Sequence, residues 1–384
     1  MKTLILPNQG TNTDILKIIC EEEGIRTIDL SVSKLSEPSL VSARIVVAQK
    51  MMNVDDDQEI HCDLLSFAER LVAWHLNGKL PEEAVEYLPI SGIDSILGMI
   101  PLAGGPKLST VAIPNPEYAL IKNWCCCLKK KIIKLEINST NNFLFDPKKI
   151  HGAGLVMMNY PHYPSGAIAE KAWLTELCSY AEKHNIRIFN NASSAALAYV
   201  PEACTLTEVA VNFPRLSWAE AYSAANLIGN DAWGIGSIVG SPNFIDDIKA
   251  VRNKLGADQV SAPLAVGVMA VLKNDRVKKE IGSNFAKYRQ NVILLWDILH
   301  DGGIHLCLEP KSGLCVLCRV PKYAFGKQAI DASGFNDLMA KKAGLIGIPF
   351  GKKYIAYSAA AVNVAAIKND IVEAFVKADV CYEY

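Results

Sequence analysis

The 384-residue chain carries 39 Lys plus Arg against 40 Asp plus Glu, a formal net charge of −1. A surface so balanced is not one built to grip a phosphate backbone, so nucleic acid is excluded as the expected partner. Half of the residues are hydrophobic and 21% are charged, a mix that buries a large core, and the length favours two domains or a large one with a smaller satellite.

Eleven cysteines cannot all pair within one chain. The apolar run in residues 1–7 is too short for a secretory signal, and residues 261–272 fall short of the ~20 apolar residues of a membrane span. The expectation is a soluble, cytoplasmic protein that engages no membrane and packs most of its thiols as small hydrophobes.

In chain order, residues 14–23 suit a short helix and 26–30 a strand. Residues 57–78 read as a helix, with Leu64, Leu65, Ala68, Leu71, Val72 and His75 near helical spacing and Gly78 as the stop. A strand at 87–90 turns through Ser91 and Gly92 into a helical pattern over 93–102. Short apolar strands are expected at 110–113, 131–135, 154–159, 187–189, 208–212 and 235–239, with helices such as 170–184 between them. That alternation predicts a mostly parallel sheet with helices on both faces. After about residue 284 the pattern becomes α+β: a helix at 285–300, a strand at 314–320, a helix at 330–343, a strand at 354–358 and a last helix at 366–378.

The order of motifs resembles a known family. Asn159-Tyr160-Pro161-His162-Tyr163-Pro164-Ser165-Gly166 is similar to the Asn-Tyr-Pro-Asn-Asn-Pro-Thr-Gly loop of class I/II aminotransferases, and Asn190-Asn191-Ala192-Ser193 stands where that family has Asp-Glu-Ala-Tyr. Tyr222-Ser223-Ala224-Ala225-Asn226 and Ala232-Trp233-Gly234-Ile235-Gly236 align without a gap on its His-Ser-Leu-Ser-Lys and Gly-Trp-Arg-Ile-Gly. Pro310-Lys311-Ser312-Gly313-Leu314 and Tyr354-Ile355-Ala356-Tyr357-Ser358 resemble its Pro-Lys-Gly-Gly-Phe and Tyr-Val-Arg-Ile-Ser. The resemblance implies the fold-type-I, pyridoxal-phosphate-dependent scaffold. It places a large cofactor domain at 38–283, a smaller domain at 1–37 with 284–384, and a homodimer, or a heterodimer with an active relative.

The same resemblance assigns roles by position, and most of the chemical groups are missing. The Schiff-base Lys falls on Asn226, whose amide offers no nucleophilic amine. The carboxylate that holds the ring nitrogen falls on Asn190. The loop Asn and the Tyr that face the phenolic oxygen fall on Tyr163 and Ser193. The phosphate-clamping Arg, eight residues after the Lys, falls on Gly234, and the substrate-carboxylate Arg falls on Ala356. Losing one charge-assisted contact costs roughly 1.5–3 kcal/mol. Ser91 and Gly92 match a phosphate-binding turn, although such a pair is more often just a strand-to-helix turn with an N-cap. Ser223 matches the phosphate-binding Ser, and Tyr118 the aromatic ring that stacks on the cofactor; each reads equally as a packing or capping residue.

Other constellations carry less. Cys315 and Cys318 lie three apart on an expected strand and so face opposite sides, which suits neither zinc nor a redox pair. His61, Asp63 and His75 lack partners at metal-ligand spacing. Cys125, Cys126 and Cys127 precede Lys129, Lys130 and Lys131, which would activate an exposed thiol. Asp55, Asp56 and Asp57 suit a helix start, and Gly234, Gly236 and Gly240 have the wrong spacing for a dinucleotide fingerprint. The sequence thus predicts an aminotransferase-like pseudoenzyme with a small amino or keto acid as its natural class of ligand. The competing readings are an active aminotransferase whose Lys comes from outside the motif and a scaffold that uses its surface alone.

Overall fold

A computed structural model describes residues 10–32, 41–52, 57–82, 84–104, 108–116, 119–228, 234–256, 259–329 and 331–382. Its centre is a seven-stranded sheet. From edge to edge it runs Glu86–Ile90, Gly236–Gly240, Trp218–Ser223, Arg187–Asn191, Leu155–Met158, Thr110–Asn115 and Lys131–Glu136. All neighbours are parallel except at Gly236–Gly240, which opposes both of its partners. The mostly parallel α/β sheet read from the sequence is the observed fold, with a smaller α+β body beside it.

Period-two alternation makes this sheet the wall between two cores. Val111, Ile113, Leu155, Met157, Phe189 and Ala219 face one core, which is closed by helices Ile93–Leu97, Ala119–Cys127 and Pro242–Leu255. Ala112, Val156, Met158, Ile188 and Trp218 face the other, closed by Lys171–Lys183 through Leu174, Leu177, Cys178 and Ala181. A second, antiparallel sheet of Ile348–Phe350, Tyr354–Ser358 and Cys315–Arg319 packs with the helices Asp275–Asp301, Ala332–Ala343 and Lys368–Ala378. The segment Ile28–Asp29 joins this part by pairing in parallel with Leu345–Ile346, and Ile28 and Leu30 lie in its core. Cys315 and Cys318 fall in different cores, as their spacing requires.

Three readings of the sequence are corrected. Residues 208–212 belong to no strand: Leu206–Ala210 is a helix, started by a reciprocal cap between Thr205 and Glu208. The helix over 93–102 stops at Leu97 and resumes as a short tight turn, Ile100–Leu102, with Trp124 pressed so closely on Gly98 that a Cβ there would lie 2.7 Å from the indole. The helix expected from 285 begins at Asp275, where Asn274 Oδ1 accepts from the Val277 amide at 3.2 Å. Among the described residues no helix is long and apolar enough to cross a membrane.

Candidate functional site

The carboxyl ends of the parallel strands converge on one open cleft of about 490 Å³. Such ends are where an open α/β sheet offers loops and helix starts to a ligand, and the volume lies within the range of small-molecule sites. Ser91 and Gly92 follow Glu86–Ile90; Asn159, His162 and Tyr163 follow Leu155–Met158; Asn191, Ser193 and Ser194 end or follow Arg187–Asn191; Ser223 and Asn226 end or follow Trp218–Ser223. Gly234 enters from the antiparallel strand, and Ser312 and Cys315 come from the smaller body.

The cleft therefore collects Ser91, Gly92, Tyr163, Ser193, Ser223, Asn226 and Gly234 of the positions singled out by sequence. Tyr118 lies outside the described residues, as do Asp55, Asp56, Ala232, Trp233 and the side chains of Asp57, His61 and Asp63. Ala356 is not on the cleft wall: it is fully buried in the middle of Tyr354–Ser358, opposite Leu317 and Ile348.

Asn190 is also absent from the wall, and the adjacent Asn191 occupies it. The pleat explains this, because successive side chains alternate and Asn190 shares the face of Ile188. Register sets Asn190 opposite Glu220. Its Nδ2 donates to Glu220 Oε1 at 2.7 Å and to the Tyr160 carbonyl at 2.8 Å, while its Oδ1 accepts from the Tyr160 amide at 2.8 Å. Both of its donor hydrogens are thus committed within the protein. Glu220, fully buried, also accepts from the amides of Leu206 and Thr207 and from the hydroxyls of Thr207 and Tyr222. Burial pushes its carboxyl up, against the pull of these donors.

At the other side, Asn226 donates from Nδ2 to the Ser193 carbonyl at 2.9 Å, and Ser223 Oγ accepts from the Ala225 amide at 3.0 Å. Ser91 donates to Ser95, which in turn donates to the Gly92 carbonyl. Gly92 has φ 125°, a conformation L side chains rarely adopt, and Gly234 lies against this turn so tightly that a Cβ on Gly234 would sit 2.4 Å from the Ser91 carbonyl oxygen. His162 is buried among Phe143, Tyr160 and Phe350 with Nδ1 2.7 Å from Ser165 Oγ, and burial brings its imidazole down to about 3. Cys315 is an inert buried thiol, pushed up to about 12. Of the described residues lining the cleft none is Lys or Arg, and Asp94 is the one carboxylate. Asn159, Asn191, Ser194 and Ser312 were not singled out by sequence, although Asn159 opens the loop motif and Asn191 adjoins Asn190.

A sheet covered by helices on both faces, with a cleft at its strand ends and a smaller body closing one side, is the architecture of aminotransferases. The chain belongs to the aminotransferase class I and II family, whose model matches residues 27–377. Members typically bind pyridoxal phosphate. The chain is 26% identical over 265 residues to an LL-diaminopimelate aminotransferase from Dehalococcoides mccartyi, a match that spans 65% of each protein. A second LL-diaminopimelate aminotransferase, from Halothermothrix orenii, is 21% identical over 360 residues and 87% of each chain. The fold superposes on substrate-bound BacF from Bacillus subtilis with TM-score 0.79 at 18% identity, covering 99% of this chain and 97% of that one. It superposes equally on the L,L-diaminopimelate aminotransferase of Chlamydomonas reinhardtii, TM-score 0.79 at 16% identity over 98% and 99%.

Proposed function

We propose that this member of the family has lost transamination and keeps its cleft as a site for a small ligand. The observation that carries the reading is Asn226: the position of the Schiff-base Lys holds a carboxamide bonded to the Ser193 backbone, and no Lys replaces it among the described wall residues. An amide can neither condense with an aldehyde nor move a proton near neutral pH. Asn190 adds support, since its donors are taken by Tyr160 and Glu220 and none is left for a ring nitrogen. Ala356 adds more, because a buried methyl group in the core offers nothing to a carboxylate. The residues present do not fit the cofactor at these points, so no catalytic step is routed through it. An open cleft favours a retained ligand over a protein that acts by its surface alone. Pairing with a second copy, or with an active relative, belongs to the same reading.

The test is to incubate the purified protein with pyridoxal phosphate, reduce with borohydride and map modified lysines by mass spectrometry, alongside an assay for amino transfer to a 2-keto acid. Neither a stoichiometric adduct nor transfer is expected. One fully modified lysine together with transfer would overturn the proposal in favour of an active aminotransferase.

A further inference from the structure

We infer that the cleft has exchanged anion recognition for uncharged ligands: it takes a small hydrogen-bonding molecule without phosphate or carboxylate, in preference to the phosphorylated cofactor of its family and in place of the amino or keto acid expected from the motifs. This rests on the reading above that the cleft is a retained small-ligand site. The wall is rich in neutral donors and acceptors, with Asn159, Asn191, Ser193, Ser223 and Asn226 among them, and the described residues add no Lys or Arg to neutralise an anion.

The place where a guanidinium is expected is closed to any side chain. A Cβ on Gly234 would lie 2.4 Å from the Ser91 carbonyl oxygen and 3.5 Å from its carbon, so backbone fills the space a cationic side chain would need. The one carboxylate among the described wall residues is of the wrong sign for an anion: Asp94 stands in the first turn after Ser91 and Gly92. His162 supplies no positive charge either, being buried at the back of the cleft and hydrogen-bonded to Ser165. A phosphate dianion entering here would lose water without gaining an ion pair, whereas hydroxyl and amide groups would exchange hydrogen bonds with water for equivalent ones with the wall.

The test uses the full chain and isothermal titration calorimetry with pyridoxine and with pyridoxine 5′-phosphate. Both lack the aldehyde and they differ only in the phosphate. Pyridoxine is expected to bind at least tenfold more tightly, inorganic phosphate is expected not to compete, and Asp94→Asn is expected to narrow the gap by strengthening the phosphorylated form. Equal or tighter binding of the phosphorylated form overturns this inference and leaves the loss of transamination standing. Failure of both to bind overturns it as well. A borohydride-trapped lysine adduct, in contrast, strikes the underlying reading.

Discussion

Asn190 holds three hydrogen bonds in a space closed to water, and its amide is the one group of its size that can donate to two carbonyl-type oxygens while accepting from an N–H. Asn190→Asp, the change toward the family's residue, would set an acceptor against the Tyr160 carbonyl and a second carboxyl against Glu220. A loss of about 2–4 kcal/mol is expected from such buried mismatches. Two facing carboxyls must share a proton, which raises their folded pKa. The variant's deficit relative to the parent is therefore smallest below the ordinary carboxylate range and grows as pH rises through the raised values. Urea unfolding at pH 5 and pH 8 checks this, and an equal deficit at both would contradict it. The motif order located Asn190 in the chain, and likewise Asn226, Ser223 and Tyr163, which do line the cleft. It did not reveal which way Asn190 points, because that depends on pairing with Glu220, thirty residues away in a strand that went unread.

Among the elements, the contact between the turn at Ser91 and the start of Gly236–Gly240 ties the edge strand to the cleft. Gly234→Ala is expected to cost about 1–3 kcal/mol, the range for forcing extra volume into a packed site. The melting temperature and the affinity for pyridoxine should fall together, since the displaced backbone is cleft wall. An unchanged melting temperature would show that the two segments can part. Elements with strong periodicity were legible: the helices Lys171–Lys183 and Ala332–Ala343 and most strands of both sheets stand within a few residues of their expected places. Leu206–Ala210 was not, because Val209 and Val211 alternate as in a strand over a stretch too short to show a helical period. The Thr205 and Glu208 cap was the signal that distinguishes them.

At the scale of the whole molecule, two buried imidazoles tie stability to pH. His75, stacked 4.8 Å from Tyr222 with Nε2 3.2 Å from the Ser223 carbonyl, is brought down to about 4 by burial, and His162 to about 3. The unfolded chain binds protons at these groups near the ordinary value of about 6.5. Their neutral packing thus contributes in full above that pH and is lost as pH falls toward their folded values, by up to about 1.4 kcal/mol per pH unit for each group. Glu220, whose carboxyl is raised, acts in the opposite sense, contributing at low pH and less as pH rises through its folded value. Denaturant unfolding between pH 7.5 and pH 4.5 should show the net decline, and a flat profile would contradict neutral burial of both imidazoles. The pairing of Ile28–Asp29 with Leu345–Ile346 bears on how the chain is made. All seven strands of the large sheet have been synthesised by Gly240, but the partner of Ile28 arrives about a hundred residues later. At ribosomal speed that is roughly 5–20 s, an interval in which the segment around Ile28 and Leu30 waits without the strand it pairs with in the folded protein.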